Sequence, residues 1–195
     1  MRALVIAPAL LALTVATAGC FTQTSIQPFL TADEGVVVPE LAGQWIETEG
    51  DHPDILELTP AVSKSPDTWT LRLEEKGDEP PAVLEVRLGR MGDHLVWDMT
   101  VPEDKSASTL VAVHRLPLHS LARLSLDGDR LRVAYLDPEW FSTRAKEGAL
   151  DVAHLVIEED SLLLTAPTDE LRDAVLAHWD EAFGDASVFV RRKAQ

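Results

Sequence analysis

Acid–base, nucleophilic or metal chemistry in this sequence would have to be built from six histidines, one cysteine and 33 aspartates and glutamates. Zinc would need histidine and carboxylate ligands converging on one point. Neither His-x3-His nor His-Glu-x-x-His occurs, and His114 and His119, five residues apart, fall on opposite faces if their segment is one strand. His119 and Ser120 are adjacent, a spacing at which the imidazole cannot serve its neighbour's hydroxyl as a base. The Gly-x-Ser-x-Gly elbow that exposes a serine nucleophile is absent. Glu74 with Glu75, and Glu158 with Glu159, adjoin turn residues, where solvated charge is the ordinary role of a carboxylate pair. No glycine-rich phosphate loop follows a strand pattern. The expectation is a chain without catalytic residues, bound metal or cofactor.

Cys20 has the most informative surroundings. It follows a positive start at Met1 and Arg2, an apolar run over residues 3–16, and the small residues Thr17, Ala18 and Gly19. That is the layout of an export signal. The apolar run contains Pro8 and is shorter than the ~20 residues that a membrane span needs. A conventional signal cut after Ala18 would leave an unpaired thiol near the new N-terminus in an oxidising compartment. Thr17-Ala18-Gly19-Cys20 resembles the lipobox of bacterial lipoproteins. The resemblance implies that residues 1–19 are removed and that Cys20, acylated with fatty acids such as palmitate, becomes the N-terminus. Each buried CH₂ of an acyl chain contributes about 0.8 kcal/mol, so two or more chains hold a protein stably at a bilayer. Phe21 stands where an aspartate would favour the inner membrane, which implies the outer membrane in a two-membrane envelope.

Loss of residues 1–19 removes Arg2 alone, so the exported chain carries 16 basic against 33 acidic residues, a formal charge of −17. Such a field repels phosphate polyanions, and nucleic acid is excluded as a partner. It also opposes adsorption of the surface to anionic lipid, so the membrane is expected as a partner through the lipid alone. The full chain is 46% hydrophobic, and its exported part is long enough for one domain that folds without disulfides, expected as a monomer. Residues 20–40 read as the lipidated cysteine and a tether, which fully extended would reach about 60 Å at ~3.3 Å per residue; the alternative is that Val36-Val37-Val38 packs on the domain as an edge strand ended by Pro39. Residues 41–195 read as the domain.

The domain's period is two. Apolar and polar residues alternate over 69–74, 84–88 and 95–99, separated by turn clusters at 77–81, 89–93 and 102–105, as half-buried strands require. Asp127-Gly128-Asp129 between the apolar runs 121–126 and 131–136 marks a hairpin. A second hairpin is expected from 151–157 and 162–165, and a last strand at 188–190. Asp137 and Pro138 begin a short helix that Gly148 ends. Thr168 begins a longer one, with Leu171, Ala174, Val175, His178, Ala182 and Phe183 on one stripe, that Gly184 stops. Eight to ten short strands without a βαβ rhythm, plus one short and one longer late helix, predict a mainly β chain closed into a small antiparallel up-and-down barrel.

Gly43-Gln44-Trp45 opens the first barrel strand, and Arg191 and Arg192 lie on the last. This resembles the lipocalin and wider calycin pattern, which implies that Gly43, Trp45 and Arg191 or Arg192 close one barrel end by stacking guanidinium on indole. Residues 118–123, 127–131, 136–140 and 163–168 resemble segments of a group of uncharacterised bacterial lipoproteins, which implies an envelope location. Trp45, Trp69 and Trp97 fall on the inward period, where they either fill the barrel or line a pocket for one small apolar or amphipathic ligand. Two functional readings follow: a non-catalytic accessory module meeting an envelope protein partner through its outer surface, and a barrel that binds such a ligand.

Overall fold

The computed structural model describes residues 22–50, 52–62, 64–75, 80–103, 108, 115–158 and 161–193; the signal 1–19, Cys20, His114, and the turn residues 77–79, 104–105 and 159–160 lie outside them. The described chain opens with the short strand β1 (Thr24–Ser25), crosses the outside of the molecule, and makes a 3-10 turn at Pro39–Leu41. The meander that follows is β2 (Gly43–Glu47), β3 (Ile55–Pro60), β4 (Thr68–Glu74), β5 (Ala82–Met91), β6 (His94–Thr100), β7 (His119–Asp127) and β8 (Arg130–Tyr135). Then come α1 (Pro138–Lys146), β9 (His154–Glu158), β10 (Ser161–Leu164), α2 (Thr168–Ala177) and β11 (Ser187–Arg191).

Strands β2 to β8 and β11 pair antiparallel in one ring, in which β6 meets β7 and β11 returns between β8 and β2. The protein is therefore a closed eight-stranded antiparallel barrel with two short helices in its later half. Period two sends one residue of each pair inward, and registers such as Leu56 opposite Trp45 and Leu73, and Trp97 opposite Leu88 and Ala122, gather these into one core. The hairpin at residues 127–130 forms as the Asp-Gly signal requires.

A second apolar core lies outside the wall. The excursion 136–186 lays α1, α2 and β10 against Val96, Leu121 and Ala134, the outward residues of β6, β7 and β8. Asp137 caps α1 by accepting from the Glu139 amide at 2.9 Å, as its position before Pro138 predicts. The second helix is shorter than its apolar stripe. It stops at Ala177 because the chain turns at His178 to bring Phe183 into a bridge with Leu136, and the Asp137 amide donates to the Ala182 carbonyl. Thr168 does not cap it; that hydroxyl donates to the Pro28 carbonyl at 2.7 Å, and Pro167 stands at the cap.

Residues 22–41 do not hang free as a tether. Where β8 leaves β7, β1 takes over the vacated edge, with Ser25 opposite His119, and runs parallel to β10 on its other side. Where β4 leaves β5, residues 34–36 do the same: the Arg90 amide donates to Glu34 and the Val36 amide to Leu88, each at 3.0 Å. Shear leaves strand ends of a barrel projecting, and the N-terminal segment covers two such edges. Phe29 and Leu30 bury completely beneath it.

Candidate functional site

Two places gather the residues whose chemistry the fold positions. The first is the barrel interior. Trp45, Trp69 and Trp97, on β2, β4 and β6, are all buried in the same core, 2% exposed or less. Trp45 donates its indole N–H to the Leu41 carbonyl at 2.9 Å, so the 3-10 turn sits as a plug at the mouth. The Trp69 and Trp97 indole nitrogens have no hydrogen-bond partner among the described residues. The Arg191 guanidinium lies 4.2 Å from the Trp45 ring centroid. Its nitrogens donate to the Ala42 carbonyl at 2.8 Å, to the Glu40 carbonyl and to Asp129 at 3.1 Å. A stacked cation contributes about 0.5–2 kcal/mol, and its fork fixes the plug. Gly43 has φ 120°, and a β-carbon there would sit 3.3 Å from Arg191, so this turn into the first strand needs glycine. Of the two arginines at the last strand, Arg191 closes the barrel; Arg192 points outward and meets the Gln44 side chain at 3.3 Å.

The second place is on the outer wall, where polar groups lock the N-terminal segment down. Asp98 faces out from β6, yet it is only 5% exposed because residues 28–30 cover it. One oxygen accepts from the Phe29 amide at 2.8 Å and the other meets His119 Nδ1 at 2.8 Å. Nearby, Arg87 on β5 donates to the carbonyls of Thr31 and Ala32, each at 2.8 Å, and pairs with Asp67 at 2.7 Å. Glu34 pairs with Arg172 of α2 at 2.5 Å. Gly89 leaves the space that Leu30 fills, since a β-carbon there would lie 2.5 Å from that side chain.

Burial raises the Asp67 carboxyl pKa, but Ser65 and the Arg87 guanidinium outweigh it, so the net shift is downward. A folded-state pKa below the unfolded ~3.9 stabilises at neutral pH, and the contribution is lost as pH falls through the folded value. The expected result is a gap in urea midpoint between the wild type and Asp67→Asn that is wide at pH 7 and narrows below about pH 4. A gap independent of pH would show that the Asp67 charge contributes nothing.

His119 also borders a surface cleft of about 770 Å³ with Val101, Pro102 and residues 115–118. An aspartate–histidine pair orients an imidazole as a general base does, but a nucleophile must lie within its reach. Ser25, the residue opposite His119, has its hydroxyl engaged with the Leu164 carbonyl at 3.3 Å and the Gln27 amide at 3.0 Å, and Ser120 alternates to the other face. What the pair does in this geometry is hold the N-terminal segment to the barrel.

Asp98 was legible as the polar member of an alternating strand, and His119 as a neighbour of Ser120 and of His114; nothing local joined Asp98 to His119. Among the described residues no group of three or more histidine, cysteine or acidic side chains is placed to hold a metal. No helix there is long and apolar enough to cross a membrane. Fold and site define a small plugged antiparallel barrel strapped by its own N-terminal segment. Comparison of the chain with the models of known protein families, with curated proteins and with solved structures finds no match.

Proposed function

We propose that this chain is a lipid-anchored, non-catalytic module of the bacterial cell envelope, held by acylated Cys20 and acting on an envelope protein partner through its outer surface. The observation that carries the reading is the interior: Trp45, Trp69 and Trp97 fill the barrel with buried indole, and Arg191 with the 3-10 turn plugs one end. A barrel filled by its own side chains leaves the outside to meet other molecules. The signal layout ending at Cys20 supports the anchor, the likeness to uncharacterised bacterial lipoproteins supports the envelope address, and Phe21 supports the outer membrane where there are two. Cys20→Ser in the full chain is the test. The wild type is expected to sediment with membranes and the variant to be soluble with an unchanged thermal midpoint; a variant that stays with the membrane would refute the anchor.

A second reading, a small apolar or amphipathic ligand inside the barrel, draws on the unpartnered indole N–H groups of Trp69 and Trp97, since buried donors are nearly always satisfied. Titrating intrinsic tryptophan fluorescence with fatty acids of several lengths decides it. Saturable quenching at one equivalent would establish the ligand, and a flat response across the panel would eliminate it.

A further inference from the structure

Ten large apolar side chains are exposed among the described residues, and three of them stand consecutively on β9, the last strand of the sheet. Across β10 from β1, this edge strand presents Leu155, Val156 and Ile157, each more than half exposed. A strand with one wet face alternates, whereas three consecutive exposed apolar residues on a sheet edge are costly in water and invite a covering surface.

The path of the chain identifies that surface. Thr24 is level with Leu163 and, one strand further, with Leu155, and the Gln23 side chain donates to the Leu162 carbonyl at 2.9 Å beside Val156. Followed back from Thr24, the chain therefore heads alongside Val156 and Ile157. Strands lie ~4.8 Å apart, which puts Leu155 about 10 Å from Thr24. Cys20 is two residues before Thr22 in the sequence, and two residues of chain reach at most about 7 Å. An acyl chain on that sulfur draws this edge to the bilayer, because the chain is packed on the sheet from Thr22 onward.

We infer that the β9 edge, Leu155 to Ile157, seats the domain in the lipid headgroup region. The inference rests on the acylation of Cys20 and adds an orientation to it: the β9 edge lies on the membrane, and the far wall of the barrel, at β3, points away. Hydrophobic contact has to carry the seat, since Glu158 ends β9 and the exported chain is strongly acidic. The surface it fits is neutral lipid.

The acylated protein offers no free thiol, so Val156→Cys and, as control, Thr59→Cys each provide one position for an environment-sensitive fluorophore. Thr59 is exposed on β3, four strands round the ring from β7, which carries the β1 edge. Both acylated proteins are reconstituted into phosphatidylethanolamine–phosphatidylcholine vesicles and recovered by flotation, with circular dichroism confirming the fold. The expected result is blue-shifted emission at 156, quenched several-fold more by nitroxide-bearing lipid than at 59, with iodide quenching in the reverse order. Protein that floats with the vesicles while both labels report water would overturn the membrane seat and leave the edge strand for a protein partner. Protein that fails to float at all would overturn the acyl anchor, and the seat with it.

Discussion

Asp98→Ala is expected to lower the unfolding free energy by about 3 kcal/mol, because it leaves the buried Phe29 amide and the part-buried His119 ring without their shared acceptor. At the usual 2–4 °C per kcal/mol for a domain of this size, the thermal midpoint falls by roughly 6–12 °C. The loss should be local first. The N-terminal segment crosses the wall between Ser25 and Gly35, and its grip depends on Asp98, on the Arg87 clamp and on the burial of Phe29 and Leu30. In the variant, protease should therefore cut within residues 26–34 at urea concentrations that leave the barrel closed. Asp98→Asn keeps one acceptor oxygen and should lose only about 1 kcal/mol. An alanine variant within 0.5 kcal/mol of wild type, with the segment still protected, would mean that apolar burial alone holds it.

The barrel was legible because its signals are local. Alternation over 69–74, 84–88 and 95–99 reports which side of each strand is dry, and Asp-Gly reports a turn within four residues. The Gly43–Trp45 and Arg191 ends were legible for the same reason, as a turn residue and two stackable side chains at the first and last barrel strands. The segment 22–41 carries no period, since its attachment comes from scattered long-range bonds: Gln23 to Leu162, Thr168 to Pro28, Arg87 to Thr31. No spacing within residues 22–41 encodes a partner that lies 55 to 140 residues away. Asp98 fails a local reading differently. Period two places it correctly on the outer face, but whether that face is wet depends on a second layer whose docking the strand itself does not specify. Residues 155–157 show the converse, a run read correctly as strand whose exposure follows from being last in the sheet.

Trp97, next to Asp98 and pointing the opposite way, decides how full the barrel is. Trp97→Ala should cost about 3–5 kcal/mol and roughly 6–20 °C in thermal midpoint, since a fully buried indole among Leu88, Ala122 and their neighbours leaves a cavity the closed sheet cannot collapse to fill. Trp97→Phe separates packing from the indole N–H. That N–H has no partner among the described residues, and an unmet buried donor costs about 1–3 kcal/mol, which phenylalanine recovers while giving up part of the ring. The two effects nearly cancel, and the variant should lie within about 1 kcal/mol of wild type. Trp45→Phe is the internal contrast: its N–H donates to Leu41 at 2.9 Å, so losing it removes a bond, strands a carbonyl of the plug and should cost about 1–3 kcal/mol. The order expected from urea unfolding is thus Trp97→Phe mildest, Trp45→Phe intermediate and Trp97→Ala worst. If Trp97→Phe instead falls below Trp45→Phe, the indole N–H of Trp97 has an acceptor inside the barrel, and a bound molecule replaces the filled core as the account of this protein.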